Sequence, residues 1–184
     1  MEKAVRDEIV RFVLENPENR HREGEERYFD EPLVGFASAA DPLFTEYKKV
    51  IGPFHRTPAE CMATEPGAPA MAQGTVICWI LPVTRATRES NHKERVWPSR
   101  EWAHTRNYGE KFNSLLRRHV VTFLSGRGHR AIAPQLSPGW MRIEDTPVGI
   151  ASTWSERHAT YAAGLGTFSL SDGLITAKGI AMRC

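Results

Sequence analysis

Apolar residues recur at the spacing of an α-helix in several segments of the chain. Residues 1–19 carry one such apolar face and predict a helix that ends near 16–19, and its face consists of Val5, Ile9, Phe12 and Val13. The strongest pattern follows Pro98 and Ser99 and stops at Gly126. Its apolar positions are Phe112, Leu115, Leu116, Val120, Phe123 and Leu124. Shorter helices are predicted over 41–52, capped by Asp41, and over 154–164, ending at Gly164.

Short apolar runs between these helices predict strands. "LVGFAS" (33–38) and "TVICWILPV" (75–83) have this pattern, and the second is the clearest candidate for a buried strand. "RAIAPQL" (130–136) is another candidate, and "GLIT" and "IAMRC" flank "AKG" as a predicted hairpin. The Pro- and Gly-rich stretch 57–74 and the polar stretch 84–99, which has no periodicity, are expected to be connections.

Strands alternate with helices along the chain, so we expect an α/β or α+β fold with a central mixed sheet flanked by helices. The length of 184 residues suits one domain with its own core. No segment approaches the roughly 18 apolar residues that a membrane span needs, and the charged amino terminus has no signal core. We therefore expect a cytoplasmic protein without a membrane partner.

The net charge of +2 gives no direct signal for nucleic acid, which usually binds to a basic stripe. One local basic cluster exists, and we interpret it as a solvated helix face and loop rather than an anion site. The cluster consists of Arg117, Arg118, His119, Arg127, His129 and Arg130.

Neither the cysteines nor the histidines form a recognisable chemical motif. The three cysteines contain no CxxC pair, and Cys78, inside an apolar run, is expected to be a buried, reduced thiol. A disulfide framework is not expected. None of the seven histidines occurs in HxH, HxxH or HExxH spacing, so no metal site is predicted. The serines and histidines also have no local frame that would place a nucleophile beside a base.

The segment "WAHTRNYGEKF" (102–112) concentrates polar groups where we expect a loop to enter the long helix. Thr105 or Asn107 could serve as the N-cap there. Arg106 with Tyr108 would suit a ligand that bears amides, phosphate or carboxylate. The alternative is a capped helix with a solvated arginine.

The segment "GLGTFSLSDG" (164–173) departs from a dinucleotide fingerprint, because its glycines follow a helix and the third glycine is missing. Gly164 is expected to end the preceding helix. Gly166 allows close backbone approach, either by another strand or by a flat ligand, and the pattern leaves both open.

Taken together, "SREWAHTRNYGEKFNSLL" (99–116) and "YAAGLGTFSLSDGLIT" (161–176) resemble the cobalamin-binding half of the epoxyqueuosine reductase family and related reductive dehalogenases. Trp102 and Ala103 stand for the family's Tyr-Ala, and Arg106 and Tyr108 match. The family's glycine segment is matched by Ala163, Gly164, Leu165 and Gly166. A ferredoxin-like branch, in which the chain continues into a domain with two four-cysteine motifs, is more similar still. The resemblance covers residues 30–184.

This resemblance implies a nitroreductase-like, corrinoid-binding domain over 31–184, preceded by a helix and lead-in over 1–30. It further implies a chain truncated before a 4Fe-4S ferredoxin domain that would lie beyond Cys184 and supply electrons. The substrate would be a small molecule or a modified nucleoside. Substrate-side residues would be Arg106, Asn107 and Tyr108. Cobalamin-binding residues would be Thr105, Gly164, Leu165, Gly166, Thr167, Phe168 and Ser169.

Two departures from the family bear on catalysis. Asn107 stands where the reductase carries the acid that protonates its substrate, and an amide has no titratable proton to give. The lysine that follows the family's glycine segment is also missing. The implied function is therefore a corrinoid-dependent reductase module of unknown substrate, with two alternatives: a non-catalytic corrinoid-binding domain, or a protein-interaction domain of a ferredoxin-like electron-transfer protein.

Overall fold

The computed structural model describes residues 1–21, 24, 26–65, 67 and 73–180. Within them the chain is α+β, as the alternating patterns predict. The helices are α1 (Glu2–Glu15), α2 (Leu43–Val50), α3 (Pro58–Met62), α4 (Arg85–Lys93), α5 (Arg100–Ser125) and α6 (Glu156–Ala162). The strands are β1 (Leu33–Ser38), β2 (Thr75–Ile80), β3 (Arg142–Ile143), β4 (Ala151–Ser152), β5 (Gly166–Phe168), β6 (Leu174–Thr176) and β7 (Gly179–Ile180).

The described strands form three small antiparallel sheets rather than one central mixed sheet. β1 pairs with β2, with Leu33 opposite Ile80 and Ser38 opposite Thr75. β3 pairs with β4, and β5, β6 and β7 form a meander. The prediction of a single sheet was wrong because the later strands are only two or three residues long and pair with their neighbours in sequence.

The β1–β2 ribbon lies between two layers of helices, and its alternating side chains divide the core into two clusters. Val34 and Trp79 face the layer of α1 and α5. Ala37 and Cys78 face the opposite way, towards α2 and α6. This alternation is the period-two geometry of a strand, and the ribbon is therefore buried on both faces.

The predicted helices of the amino-terminal layer are confirmed. Val5, Ile9 and Val13 of α1 are almost completely buried, in one cluster with Phe112 and Leu116 of α5. Such a continuous apolar stripe stabilises each helix mainly through packing against the other.

The polar stretch 84–99 is not the predicted loop, because residues Arg85–Lys93 form α4. The Thr84 hydroxyl caps this helix by accepting a hydrogen bond from the Thr87 N–H at 3.4 Å. Thr87 is the only buried residue of α4. A helix that lies almost wholly on the surface needs no apolar periodicity, so the pattern could not predict it.

Other expectations for the loops have mixed outcomes. The 130–136 segment is not a strand in the structure; it is unpaired and ends in a 3₁₀ turn, Pro134–Leu136. The connection 57–74 contains α3, which the Thr57–Glu60 capping box begins, while residues 66 and 68–72 lie outside the described residues. The hairpin predicted around "AKG" is confirmed as β6–β7, and its residues 181–184 lie outside the described residues. No helix in the described ranges is long and apolar enough to span a bilayer.

Candidate functional site

A cavity of about 850 Å³ lies along one edge of β2. Five consecutive β2 residues, Thr75–Trp79, line this cavity. Because successive side chains point to opposite faces of a strand, an unbroken run of lining residues means that the cavity faces the backbone edge. The other edge of β2 pairs with β1, and no strand in the described part of the chain pairs with this one. We call this space the β2-edge cavity.

The walls of the β2-edge cavity are largely apolar and come from both helical layers. α5 contributes residues of its carboxyl-terminal half, α6 contributes Glu156, Ala159 and Thr160, and the segment 128–135 contributes a further part of the wall. The main apolar lining residues are Val120, Val121, Leu124, Ala131, Ile132, Pro134 and Ala159. The segment 130–136, predicted as a strand, thus contributes residues to the cavity wall and does not pair with β2.

A buried arginine lies at the side of the cavity where α5 approaches α6. The Arg117 guanidinium, only 3% exposed, donates to both oxygens of Glu156, with Nη2–Oε1 at 2.8 Å and Nη2–Oε2 at 2.9 Å. Its Nη1 also donates to Glu110 Oε1 at 2.7 Å. Burial disfavours the cation, but the two carboxylates outweigh burial and raise the pKa of Arg117. Our interpretation of the basic cluster as a solvated face was therefore wrong for Arg117.

Two buried polar atoms of the cavity wall have no hydrogen-bond partner among the described residues. They are Thr160 Oγ1, on a residue that is 1% exposed, and Gln135 Oε1. Thr160 lies one helical turn after Glu156, on the same face of α6. An unpaired buried polar atom carries a desolvation cost, and a bound molecule could offset it by supplying the missing hydrogen bond.

Cys61 and Cys78 also line the cavity, and both are buried thiols that form no disulfide within the described part of the chain. The predicted burial of Cys78 is therefore confirmed. Burial raises the pKa of Cys61 to about 12, so its sulfur is protonated at neutral pH and is not a nucleophile. These two side chains extend the apolar wall.

The four predicted residues on α5 lie inside that helix and not at its entry. α5 begins at Ser99, whose hydroxyl accepts from the Trp102 N–H at 3.2 Å, so the N-cap role predicted for Thr105 or Asn107 was wrong. Thr105 is fully buried, and its hydroxyl has no partner in the described part of the structure. Arg106 and Asn107 are exposed.

Tyr108, the fourth of these residues, is half-buried, packs against the core cluster that contains Phe112, and contacts side chains of its own helix. Its ring meets the His104 ring edge-on, with centroids 5.5 Å apart, and Lys111 Nζ lies 5.3 Å from the ring centroid. None of the residues Thr105–Tyr108 lines the β2-edge cavity.

The predicted glycine segment forms the end of α6 and the strand β5. Gly164, at φ +71°, ends the helix as expected. Gly166 pairs with Thr176 of β6, and a Cβ at Gly166 would lie only 2.5 Å from the carbonyl oxygen of Ile175. The neighbouring strand thus accounts for the glycine without a ligand. Leu165 packs against Gly35 of β1.

The rest of the segment contacts its own neighbourhood. The Phe168 ring lies 4.6 Å from the His158 ring, and Ser169 Oγ lies 3.1 Å from Ser171 Oγ. Thr167 is exposed. None of the residues Gly164–Ser169 lines the β2-edge cavity. The two predicted groups of site residues, Thr105–Tyr108 and Gly164–Ser169, therefore both lie outside the cavity wall, and the contacts described above do not join them to each other.

A hydroxyl–imidazole pair that the sequence did not predict lies at the start of α6. Ser155 Oγ is 2.8 Å from His158 Nδ1, and the Ser155 N–H donates to His55 Nε2 at 3.1 Å. Burial lowers the pKa of His55 and of His158 to about 4 each, so both rings are neutral at pH 7. The pair does not line the cavity. The hydrogen bond to His55 joins the start of α6 to the connection between α2 and α3.

No group of three or more His, Cys, Asp or Glu residues in the described ranges is arranged to hold a metal ion. The residues that give the cavity its polar character are Arg117, Gln135, Glu156 and Thr160, and sequence reasoning did not select them as site residues. One signal was available for Arg117. It precedes Val120 by three residues and Leu124 by seven, which places a charge on the apolar face of α5.

No family model, curated protein or solved structure matches this chain.

Proposed function

We propose that the chain binds an uncharged, amphipathic small molecule in the β2-edge cavity. The observation that carries the proposal is the buried, unpartnered Thr160 hydroxyl in the wall of a cavity that is otherwise mostly apolar. Ligand sites typically combine apolar walls with a few convergent polar groups, and their volumes lie between about 300 and 1,000 Å³. The cavity, at about 850 Å³, falls within that range.

The polar groups of the cavity favour a neutral ligand. The Arg117 guanidinium already contacts the carboxylates of Glu156 and Glu110, so an anionic ligand would have to compete with two internal anions. Gln135 Oε1 can only accept, whereas the Thr160 hydroxyl can donate or accept. The exposed backbone edge of β2 supplies further N–H and C=O groups. A molecule with an apolar body and one or more hydroxyl or amide N–H groups would satisfy these atoms.

Titration with N-phenyl-1-naphthylamine, an uncharged fluorescent probe with one N–H donor, tests this proposal. We expect saturation at one equivalent. Val121→Trp, which places an indole in the cavity, should weaken binding at least tenfold. The matched control is Val148→Trp, since Val148 is exposed and does not line the cavity. Equal probe affinity in the two variants would show that the probe does not bind in the cavity.

The resemblance supports a second proposal, that the chain is the corrinoid-dependent reductase module of a cytoplasmic iron–sulfur protein with a nitroreductase-like fold. In support, the amide side chains of a corrinoid match the hydrogen-bonding chemistry of the β2-edge cavity. The predicted glycine segment does not fit the group, because β6 occupies the space beside Gly166 that a macrocycle would need. We therefore derive no catalytic step for this module.

Anaerobic titration with cob(II)alamin, followed by absorption and electron paramagnetic resonance, separates the two proposals. Base-off binding that Thr167→Val weakens and Val121→Trp leaves unchanged would support the cobalamin-binding residues that the resemblance implies, since Thr167 is exposed and does not line the cavity. Loss of binding in Val121→Trp alone would make the corrinoid a ligand of the β2-edge cavity. If neither spectrum changes during the titration, the corrinoid proposal is contradicted for this chain. The first proposal is then tested by the neutral probe alone.

A further inference from the structure

The turn between α4 and α5 presents two successive apolar side chains to solvent. Val96 is 82% exposed and Trp97 is 77% exposed. Exposed apolar residues are ordinary when they occur singly, but an adjacent pair that includes a tryptophan indicates a contact surface. We call residues 92–98 the α4–α5 corner.

Hydrogen bonds between the two helices hold the α4–α5 corner in place. Ser90 Oγ lies 2.8 Å from Ser99 Oγ, and the Ser99 N–H donates to Asn91 Oδ1 at 3.0 Å. Pro98 further restricts the backbone immediately after the tryptophan. Because these contacts already order the backbone of the turn, a partner that binds Val96 and Trp97 would lose little conformational entropy in ordering it further.

The residues around this turn carry a net positive charge, as does the basic run 117–130. Residues 85–100 contain five Lys or Arg and two Glu, a net charge of +3, whereas the whole chain carries only +2. The remaining residues therefore have a net charge of −1. Lys93 and Arg95 are both exposed and flank the apolar pair on its amino-terminal side.

We propose that the α4–α5 corner docks on an anionic lipid surface. Tryptophan favours the interface between headgroups and acyl chains, and valine beside it adds apolar area that can enter the same layer. Lysine and arginine attract anionic headgroups at that depth. Stacking on a nucleic acid base would use the indole but would leave Val96 without a role, so the pair favours lipid.

This docking is peripheral and needs no spanning segment, and it is independent of the ligand in the β2-edge cavity. We had expected no membrane partner because no apolar stretch is long enough to cross a bilayer. A surface contact through one short turn has no such length requirement.

Cosedimentation with sucrose-loaded vesicles tests the proposal. We expect the intact chain to bind vesicles of equimolar phosphatidylcholine and phosphatidylserine, to bind pure phosphatidylcholine much more weakly, and to dissociate at high salt. Trp97→Ala should weaken binding about tenfold. Lys93→Gln with Arg95→Gln should weaken it about thirtyfold, since each lost cation is expected to cost about fivefold.

Two control variants separate the α4–α5 corner from general surface properties. Lys3→Gln with Lys178→Gln removes the same charge from exposed sites elsewhere, and Leu170→Ala truncates another fully exposed apolar residue. Both should bind like the intact chain. Absent binding to the anionic vesicles, equal losses in the control variants, or binding to single-stranded oligothymidylate without binding to vesicles would each overturn the proposal.

Discussion

Arg117 and Glu156 join α5 to α6 through three hydrogen bonds, with N–O distances of 3.0, 2.8 and 2.9 Å. The two residues lie on elements from opposite sides of the β1–β2 ribbon, and both line the β2-edge cavity. The ion pair therefore fixes the separation of the two helical layers on the side where the ribbon has no further strand.

Loss of the buried cation should destabilise the chain more than loss of an exposed one. Arg117→Met leaves Glu110 and Glu156 close together without their shared partner, and we expect it to cost about 3 kcal/mol. The matched change is Arg85→Met. It removes an exposed ion pair with Glu89, which water and salt screen, so it should destabilise the chain much less. Urea unfolding measures both, and similar costs for the two variants would contradict a structural role for Arg117.

Acid should destabilise the fold through its buried histidines. His55 is 1% exposed, and its pKa of about 4 lies below the ordinary value of 6.5. The unfolded chain therefore binds more protons than the folded chain between those two values, so stability falls as the pH falls from 6.5 towards 4. For His55 alone, the loss between pH 7 and pH 5 should be about 2 kcal/mol. His158 contributes in the same direction.

Urea unfolding at pH 7 and pH 5 measures this loss. We expect His55→Gln to be less stable at pH 7 but to lose less stability between the two pH values than the unmodified chain. His129 is exposed, so His129→Gln should keep the full pH dependence. An unchanged pH dependence in His55→Gln would argue against its protonation as the cause.

A side chain at Gly166 should disrupt the β5–β6 pairing. The Cβ of Gly166→Ala would lie 2.5 Å from the Ile175 carbonyl oxygen, a backbone atom that cannot rotate away. We expect this variant to lose about 2 kcal/mol of unfolding free energy. The control is Gly24→Ala, whose Cβ would have no neighbour nearer than 4.0 Å among the described residues, and it should change stability by less than about 0.5 kcal/mol. Full stability of Gly166→Ala would contradict the register of β5 against β6.

The Thr160 hydroxyl should cost stability in the empty cavity and contribute affinity when a ligand is bound. Thr160→Val replaces an unpartnered hydroxyl with a methyl group, and we expect it to stabilise the chain by about 1 kcal/mol while weakening probe binding. Thr153→Val is a matched change at a buried threonine whose hydroxyl accepts from the Met141 N–H at 3.0 Å, so it should destabilise. Stability changes of the same sign in the two variants would contradict this interpretation.

The sequence predicted those elements whose formation depends on burial. Val5, Ile9 and Val13 mark α1 because one face of that helix is packed. α4 was missed because only Thr87 of that helix is buried, so no apolar pattern exists to detect. The 130–136 segment was predicted as a strand because its composition suits one, but whether a segment pairs depends on a partner edge that the local sequence does not specify.

The candidate site could be predicted less well than the fold. Arg117 and Glu156 are 39 residues apart, and their contact requires α5 and α6, from opposite sides of the ribbon, to meet beyond the same edge of it. The burial of the Thr160 hydroxyl without a hydrogen-bond partner likewise depends on tertiary packing, and the sequence of α6 alone does not indicate it. By contrast, Gly164 was interpreted correctly because a helix end with positive φ is a local requirement for glycine.

The most direct test of the central claim is methyl NMR of the chain during titration with N-phenyl-1-naphthylamine. Binding in the β2-edge cavity predicts shifts for the methyl groups of Val120, Val121 and Ile132, which line it, and none for the exposed Val148 and Ile150. Shifts confined to Val148 and Ile150, or no shifts at saturating probe, would contradict the assignment of this cavity as a ligand site.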